Sequence, residues 1–155
     1  MSVAAIRLRS VVLIAMAATV VAGCFFDRGG QDLFLAVSSG DLVEIKSILE
    51  ENPAIKDAYL NDGWTALTVA ARDGNVSAVN LLIEEGAGVN RLEGGGNSPL
   101  FWAVYYNHED VVSTLLSRGA AIHNKCATCR DPMEVARAKN YERIFNLLVQ
   151  RSKNS

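Results

Sequence analysis

The stretch SPLFWAVYYNHEDVVSTLLSRGAAIH, Ser98 to His123, lies over TALTVAARDGNVSAVNLLIEEGAGVN, Thr65 to Asn90, without a gap and at a spacing of 33 residues. A further copy, DPMEVARAKNYERIFNLLVQR, starts at Asp131 in the same register. An earlier one, DLFLAVSSGDLVEIKSILEENPAIK, starts at Asp32 and fits with one residue inserted in the loop that follows. Self-similarity at a fixed period of this length marks a repeat architecture, in which each unit stacks on its neighbours.

Each copy reads as helix, turn, helix. Thr65, Ser98 and Asp131 are N-cap residues whose side-chain oxygens accept from the first free N–H groups of a helix. Pro99 and Pro132 then occupy the first helical position, where a missing N–H costs nothing. Asp131 and Glu134 have capping-box spacing. Ala36, Ala70, Ala103 and Ala136 share one register and would let neighbouring helices approach closely. The first helix is predicted to stop at Gly40, Gly74, Asn107 or Asn140, residues that tolerate a left-handed turn. The second helix carries one apolar face, spaced i, i+3, i+4: Ile45, Ile48, Leu49; Val79, Leu82, Ile83; Val112, Leu115, Leu116; Phe145, Leu148, Val149.

Period 33, paired helices, Thr65-Ala66-Leu67 or Ser98-Pro99-Leu100 at the unit start and Gly86-Ala87-Gly88-Val89-Asn90 at its end together resemble the ankyrin repeat. The resemblance implies an all-α solenoid of about four helix-turn-helix units joined by β-hairpin loops. The units fall near residues 32–57, 58–90, 91–123 and 124–151, within a domain over 32–155. The family's signature histidine is replaced by Thr68, Phe101 and Glu134, so its usual hydrogen bond is absent or replaced.

The resemblance also implies a concave binding surface made by hairpin tips and the exposed side of each first helix. Carried onto this chain, that register selects Tyr59, Asn61, Asp62, Trp64, Arg72 and Asp73. It goes on to Leu92, Asn97, Tyr105 and Tyr106, then Lys125, Arg130 and Lys139. Trp, Tyr and Arg dominate interface hot spots. Adjacent Tyr105 and Tyr106 cannot both point inward from one helix, so one is expected at the surface. Trp102 shares the register of Leu35, Val69 and Val135 and is expected to be buried.

Residues 1–23 have the layout of a secretory signal: Arg7 and Arg9, an uncharged apolar run from Val11 to Ala22, then small residues before a cysteine. Val21-Ala22-Gly23-Cys24 resembles the lipobox of bacterial lipoproteins, which implies acylation of Cys24 after cleavage. The uncharged stretch ends at Phe26, short of the ~20 residues that span a bilayer. Residues 24–31 then form the lipidated cysteine and a tether, Phe25 to Gln31, reaching about 25 Å at most. Phe25 rather than aspartate follows the cysteine, which in enterobacterial lipoproteins favours the outer membrane. The expected location is thus the cell envelope, anchored by palmitate and facing the periplasm. Removing Arg7 and Arg9 leaves 13 basic and 17 acidic residues, so no basic field attracts nucleic acid.

Cys126 and Cys129 flank a turn in an exported chain, where disulfides persist, and a structural disulfide is expected. Reactive thiols and a zinc site with His123 are the alternatives. The chain lacks Gly-x-Ser-x-Gly, phosphate-loop and HExxH motifs. Glu50-Glu51, Glu84-Glu85 and Glu109-Asp110 read as solvated helix ends, and His108 and His123 as surface residues. The expected function is therefore non-catalytic: a monomeric, membrane-anchored module without cofactor or metal that binds a protein partner. That partner could be a toxin such as a lipase, making the chain an immunity protein, or an envelope or stress-defence protein for which it is a scaffold. A thiol redox protein using Cys126 and Cys129 is the reading from another class.

Overall fold

The computed structural model describes residues 28–60, 63–123 and 130–153. The described helices alternate along the chain: α1 (Arg28–Ser39), α2 (Leu42–Glu51), a 3₁₀ turn (Pro53–Asp57), α3 (Ala66–Arg72), α4 (Val76–Glu84), α5 (Pro99–Tyr105), α6 (Glu109–Ser117), α7 (Pro132–Ala138) and α8 (Glu142–Lys153). The first helices α1, α3, α5 and α7 stack in order as one layer. The second helices α2, α4, α6 and α8 stack as the other. α1 already begins at Arg28, so residues 28–31, read as tether, are helical.

The caps sit where the sequence puts them. Thr65 and Ser98 each accept from the N–H three residues on, Thr68 and Phe101, at 3.2 Å. Asp131 accepts from Met133, two residues on, at 2.8 Å, so it caps α7 without the reciprocal Glu134 bond that the capping-box spacing suggests. The four helix stops are all left-handed, with φ of +75° at Gly40, +74° at Gly74, +64° at Asn107 and +58° at Asn140. Ala36, Ala70, Ala103 and Ala136 are all buried. Thr68, in place of the signature histidine, is fully buried and pairs its hydroxyl with Thr65 at 2.6 Å.

Two readings change. Of the second-helix triplets, Ile48, Ile83, Phe145 and Val149 are only partly buried. The core instead takes Ala78, Val111 and Ile144, all fully buried and one position before the first member of their triplets. These helices are sandwiched between first helices and neighbouring second helices, so their apolar stripe is wider than one i, i+3, i+4 line. The hairpin tips contain no strand among the described residues. One tip closes with Leu60 N–H to the Trp64 carbonyl at 2.6 Å, the next with Glu93 N–H to the Asn97 carbonyl at 3.0 Å. Gly94 N–H to the Gly63 carbonyl, 2.8 Å, joins the two tips. With so few residues between closing bond and tip, no ladder can form.

Polar side chains lock one repeat to the next, joining groups 31 or 36 residues apart. Asp57 accepts from Gly88 N–H at 2.8 Å, and Asn90 accepts from Ala121 N–H at 2.7 Å. His108 Nε2 lies 2.8 Å from the Arg72 carbonyl, and its ring fills the space below Gly74. A Cβ on Gly74 would come within 2.6 Å of that ring, whereas a Cβ on Gly119 would meet nothing within 4 Å. Both glycines have φ near +80°, so alanine strains the backbone at either, by about 1 kcal/mol. Gly119→Ala is expected to cost about that much, and Gly74→Ala at least about 1 kcal/mol more through the His108 clash. His108→Ala in the Gly74→Ala background should recover part of the excess. Urea unfolding of the four proteins tests this, and equal costs at the two glycines would refute it.

Candidate protein-binding surface

α5 is seven residues long, Pro-Leu-Phe-Trp-Ala-Val-Tyr, with Tyr106 as its C-cap. Leu100, Phe101, Ala103 and Val104 face the core, with Phe101 only 1% exposed. At 3.6 residues per turn, that leaves Trp102, Tyr105 and Tyr106 along the adjoining face, spaced i, i+3, i+4. Trp102 and Tyr105 are half-buried and Tyr106 is 49% exposed.

The rings are continuous. Trp102 lies 4.8 Å from Trp64 of the preceding repeat, 5.7 Å from Tyr105 edge-on and 6.1 Å from Tyr106 in a stacked pose. Tyr106 stacks in turn on His108 at 6.3 Å. Cations close both ends. Arg72 lies over Trp64 with its guanidinium carbon 5.0 Å from the ring centre. Lys139 Nζ sits 3.7 Å from the centre of the Tyr105 ring and donates to the Tyr105 carbonyl at 3.0 Å. Each cation–π contact at such a partly solvated site contributes about 0.5–1 kcal/mol. Asp73 accepts from Arg72 Nε at 2.7 Å and from Nη2 at 3.1 Å. That hydrogen bond raises the Arg72 pKa above its ordinary value against the opposing effect of burial.

Six of the expected binding residues therefore meet in one strip: Trp64, Arg72, Asp73, Tyr105, Tyr106 and Lys139. Tyr59, 55% exposed, forms a separate pair with Arg91, whose guanidinium lies 5.0 Å from its ring. Arg130 is exposed just before α7, and Leu92 is half-buried in the third repeat's tip. Asn97 is turned inward, donating from Nδ2 to Glu93 at 2.6 Å, so it braces the tip instead of presenting its amide. Asn61, Asp62, Lys125, Cys24, Cys126 and Cys129 lie outside the described residues. His123, the third residue of the zinc alternative, pairs with the N-cap Asp131 at 3.0 Å. Among the described residues no group of three or more His, Cys, Asp or Glu side chains is placed to hold a metal.

Three residues escaped the sequence reading. Trp102 was expected in the core beside Val69, which is fully buried. The same site cannot enclose an indole, which leans out onto Trp64 and becomes the centre of the strip. His108 is no bland surface residue but the clamp on the Arg72 carbonyl; its match to Asn75, which fills the space below Gly40, was the available signal. Glu93 is 7% exposed and accepts from Gly95 N–H at 2.5 Å, Asn97 N–H at 3.0 Å and the Asn97 amide.

Compared with known proteins, residues 33–126 match the model of the ankyrin repeats, three copies. Ankyrin repeat and SAM domain-containing protein 6 of Rattus norvegicus is 30% identical over 119 residues, 76% of this chain and 12% of that protein. The E3 ubiquitin-protein ligase XBAT33 of Arabidopsis thaliana is 38% identical over 95 residues, 61% of this chain and 18% of that protein. The NAD-capped RNA hydrolase NUDT12 of Homo sapiens is 28% identical over 80 residues, 52% of this chain and 17% of that protein. The chain thus spans less than a fifth of each of these relatives. What is shared is a repeat array whose general work is protein–protein interaction.

Glu93→Ala would strip acceptors from two backbone N–H groups in a partly buried turn, a loss of about 1–3 kcal/mol. Amide hydrogen exchange at Gly95 and Asn97 should accelerate while exchange in α3 and α5 changes far less. Unaltered exchange at the tip would show that the carboxylate does not hold it.

Proposed function

We propose that this chain, which belongs to the ankyrin-repeat family, is a lipid-anchored, non-catalytic binding protein that grips a protein partner through the strip from Trp64 to Lys139. The observation that carries the reading is the continuity of that strip. Four aromatic rings and two cations from three successive repeats form one surface, although the core needs none of the exposed ring area. Contiguous exposed aromatics mark contact sites, and rigid rings bind at small entropic cost.

The anchor rests on the lipobox-like Val21 to Cys24. Among the described residues no helix is long and apolar enough to cross a membrane. α1 starts at Arg28, so only Phe25, Phe26 and Asp27 separate Cys24 from the first helical residue, at most about 14 Å of chain. An anchored domain on so short a leash works at the envelope membrane surface, facing the periplasm. A partner acting on that membrane, such as a lipase toxin neutralised there, suits this placement.

Two experiments test these parts separately. Cys24→Ala should move the protein from the membrane to the soluble fraction and abolish labelling by an alkyne palmitate analogue; persistent membrane retention would overturn the anchor. For the strip, envelope proteins captured on the immobilised protein should be lost with Tyr106→Ala and kept with Val43→Ala. Val43 is a control 80% exposed on α2, in the second-helix layer. Equal capture by both variants would remove the strip from the reading.

A further inference from the structure

The strip contains a donor with nothing to donate to. The Trp102 Nε1 nitrogen is buried and has no hydrogen-bond partner among the described residues. A buried indole N–H left unpaired costs about 1–3 kcal/mol, and tryptophans in cores normally avoid this. Here the indole sits at the centre of a half-buried ring cluster, in which only Tyr106, nearly parallel to it at 6.1 Å, is exposed.

A charge lies within the same cluster. Lys139 Nζ meets the Tyr105 ring and the Tyr105 carbonyl, and no carboxylate of the described residues pairs with it. Tyr105 joins the two features, edge-on to Trp102 at 5.7 Å and beneath Lys139 at 3.7 Å. At the other end, Arg72 is already neutralised by Asp73. The unmatched positive charge is therefore on the repeat-four side, where residues 130–153 carry six basic and three acidic side chains. Elsewhere the molecule is acidic: residues 28–60 carry three basic and six acidic side chains.

Resting on the strip reading above, we propose that the partner presents an acidic side chain to this surface, Asp or Glu within an exposed loop. Its carboxylate pairs with Lys139 and accepts from Trp102 Nε1 once the side chains packed around the indole edge part to admit it. The neighbouring partner residues lie against Trp64 and Tyr105. The indole N–H is then the specificity element. It is satisfied only by an acceptor delivered from outside, and the ammonium selects a charged acceptor over a neutral one.

The test uses a displayed library of short random peptides selected on the purified, immobilised protein. Recovered peptides should share one Asp or Glu position, and changing it to Asn or Gln should weaken binding by about tenfold. Trp102→Phe, which keeps a ring but removes the donor, and Lys139→Gln should each erase the preference for that acidic position. Far-ultraviolet circular dichroism and melting of both variants check that the fold is kept. Should Trp102→Phe fail to fold, Lys139→Gln, at an exposed side chain, carries the test alone. Peptides that need Tyr106 but show no acidic preference overturn this inference and leave the strip reading standing. Peptides indifferent to Tyr106→Ala, or no recovered peptide at all, overturn both.

Discussion

Everything in this molecule depends on a repeat being unable to bury its own apolar face. Each helix pair exposes one side until the next pair covers it, so the fold exists only where the stack is in register. Burial alone sets that register loosely, because alanine and valine faces slide. The polar bonds between repeats do not slide. Asp57 to Gly88, Asn90 to Ala121 and His108 to the Arg72 carbonyl each join groups about one repeat apart. A shift of one residue would break them and leave polar groups unpaired.

The same bonds place the aromatic strip. His108 holds the carbonyl of Arg72, whose guanidinium lies on Trp64; its own ring stacks on Tyr106, which stacks on Trp102. Lys139 then ties repeat four to the Tyr105 carbonyl of repeat three. The strip thus crosses two inter-repeat junctions, and the groups that would contact a partner also fasten the stack. A partner bound there bridges three repeats, so its binding energy adds to the coupling between repeats that makes a short array cooperative.

The helices, their stops and the alanine positions were legible because each has a local cause repeated at 33 residues. Thr65, Ser98 and Asp131 cap by oxygens of their own, and Asn107 and Asn140 stand where glycine stood before. Half of the candidate site was legible for the same reason, since family register selects exposed first-helix positions. What failed was register taken as environment. Trp102 occupies the position of Val69, but Val69 is fully buried while Trp102 and Val135 of the same register are only half-buried, so the register alone does not fix burial. Asn97 failed in the opposite direction: its position faces out, but a buried carboxylate four residues earlier draws it in. Both outcomes turn on contacts between side chains whose chemistry the period does not encode.

The ends of the stack show why the strip lies where it does. In the first repeat, Leu35 is 64% exposed, although it has the register of buried Val69. An end repeat has a neighbour on one side only, so its outer positions stay open and its helices open more readily. The aromatic rings instead come from α5 and the loop before α3, where neighbours on both sides hold them. In the anchored arrangement proposed above, the acidic first repeat lies nearest the lipid. Anionic headgroups would repel it, and the basic fourth repeat would face outward. A partner carrying negative charge would meet the strip from that outward side. The charge difference between the ends then sets the direction of approach, and the rings supply the grip.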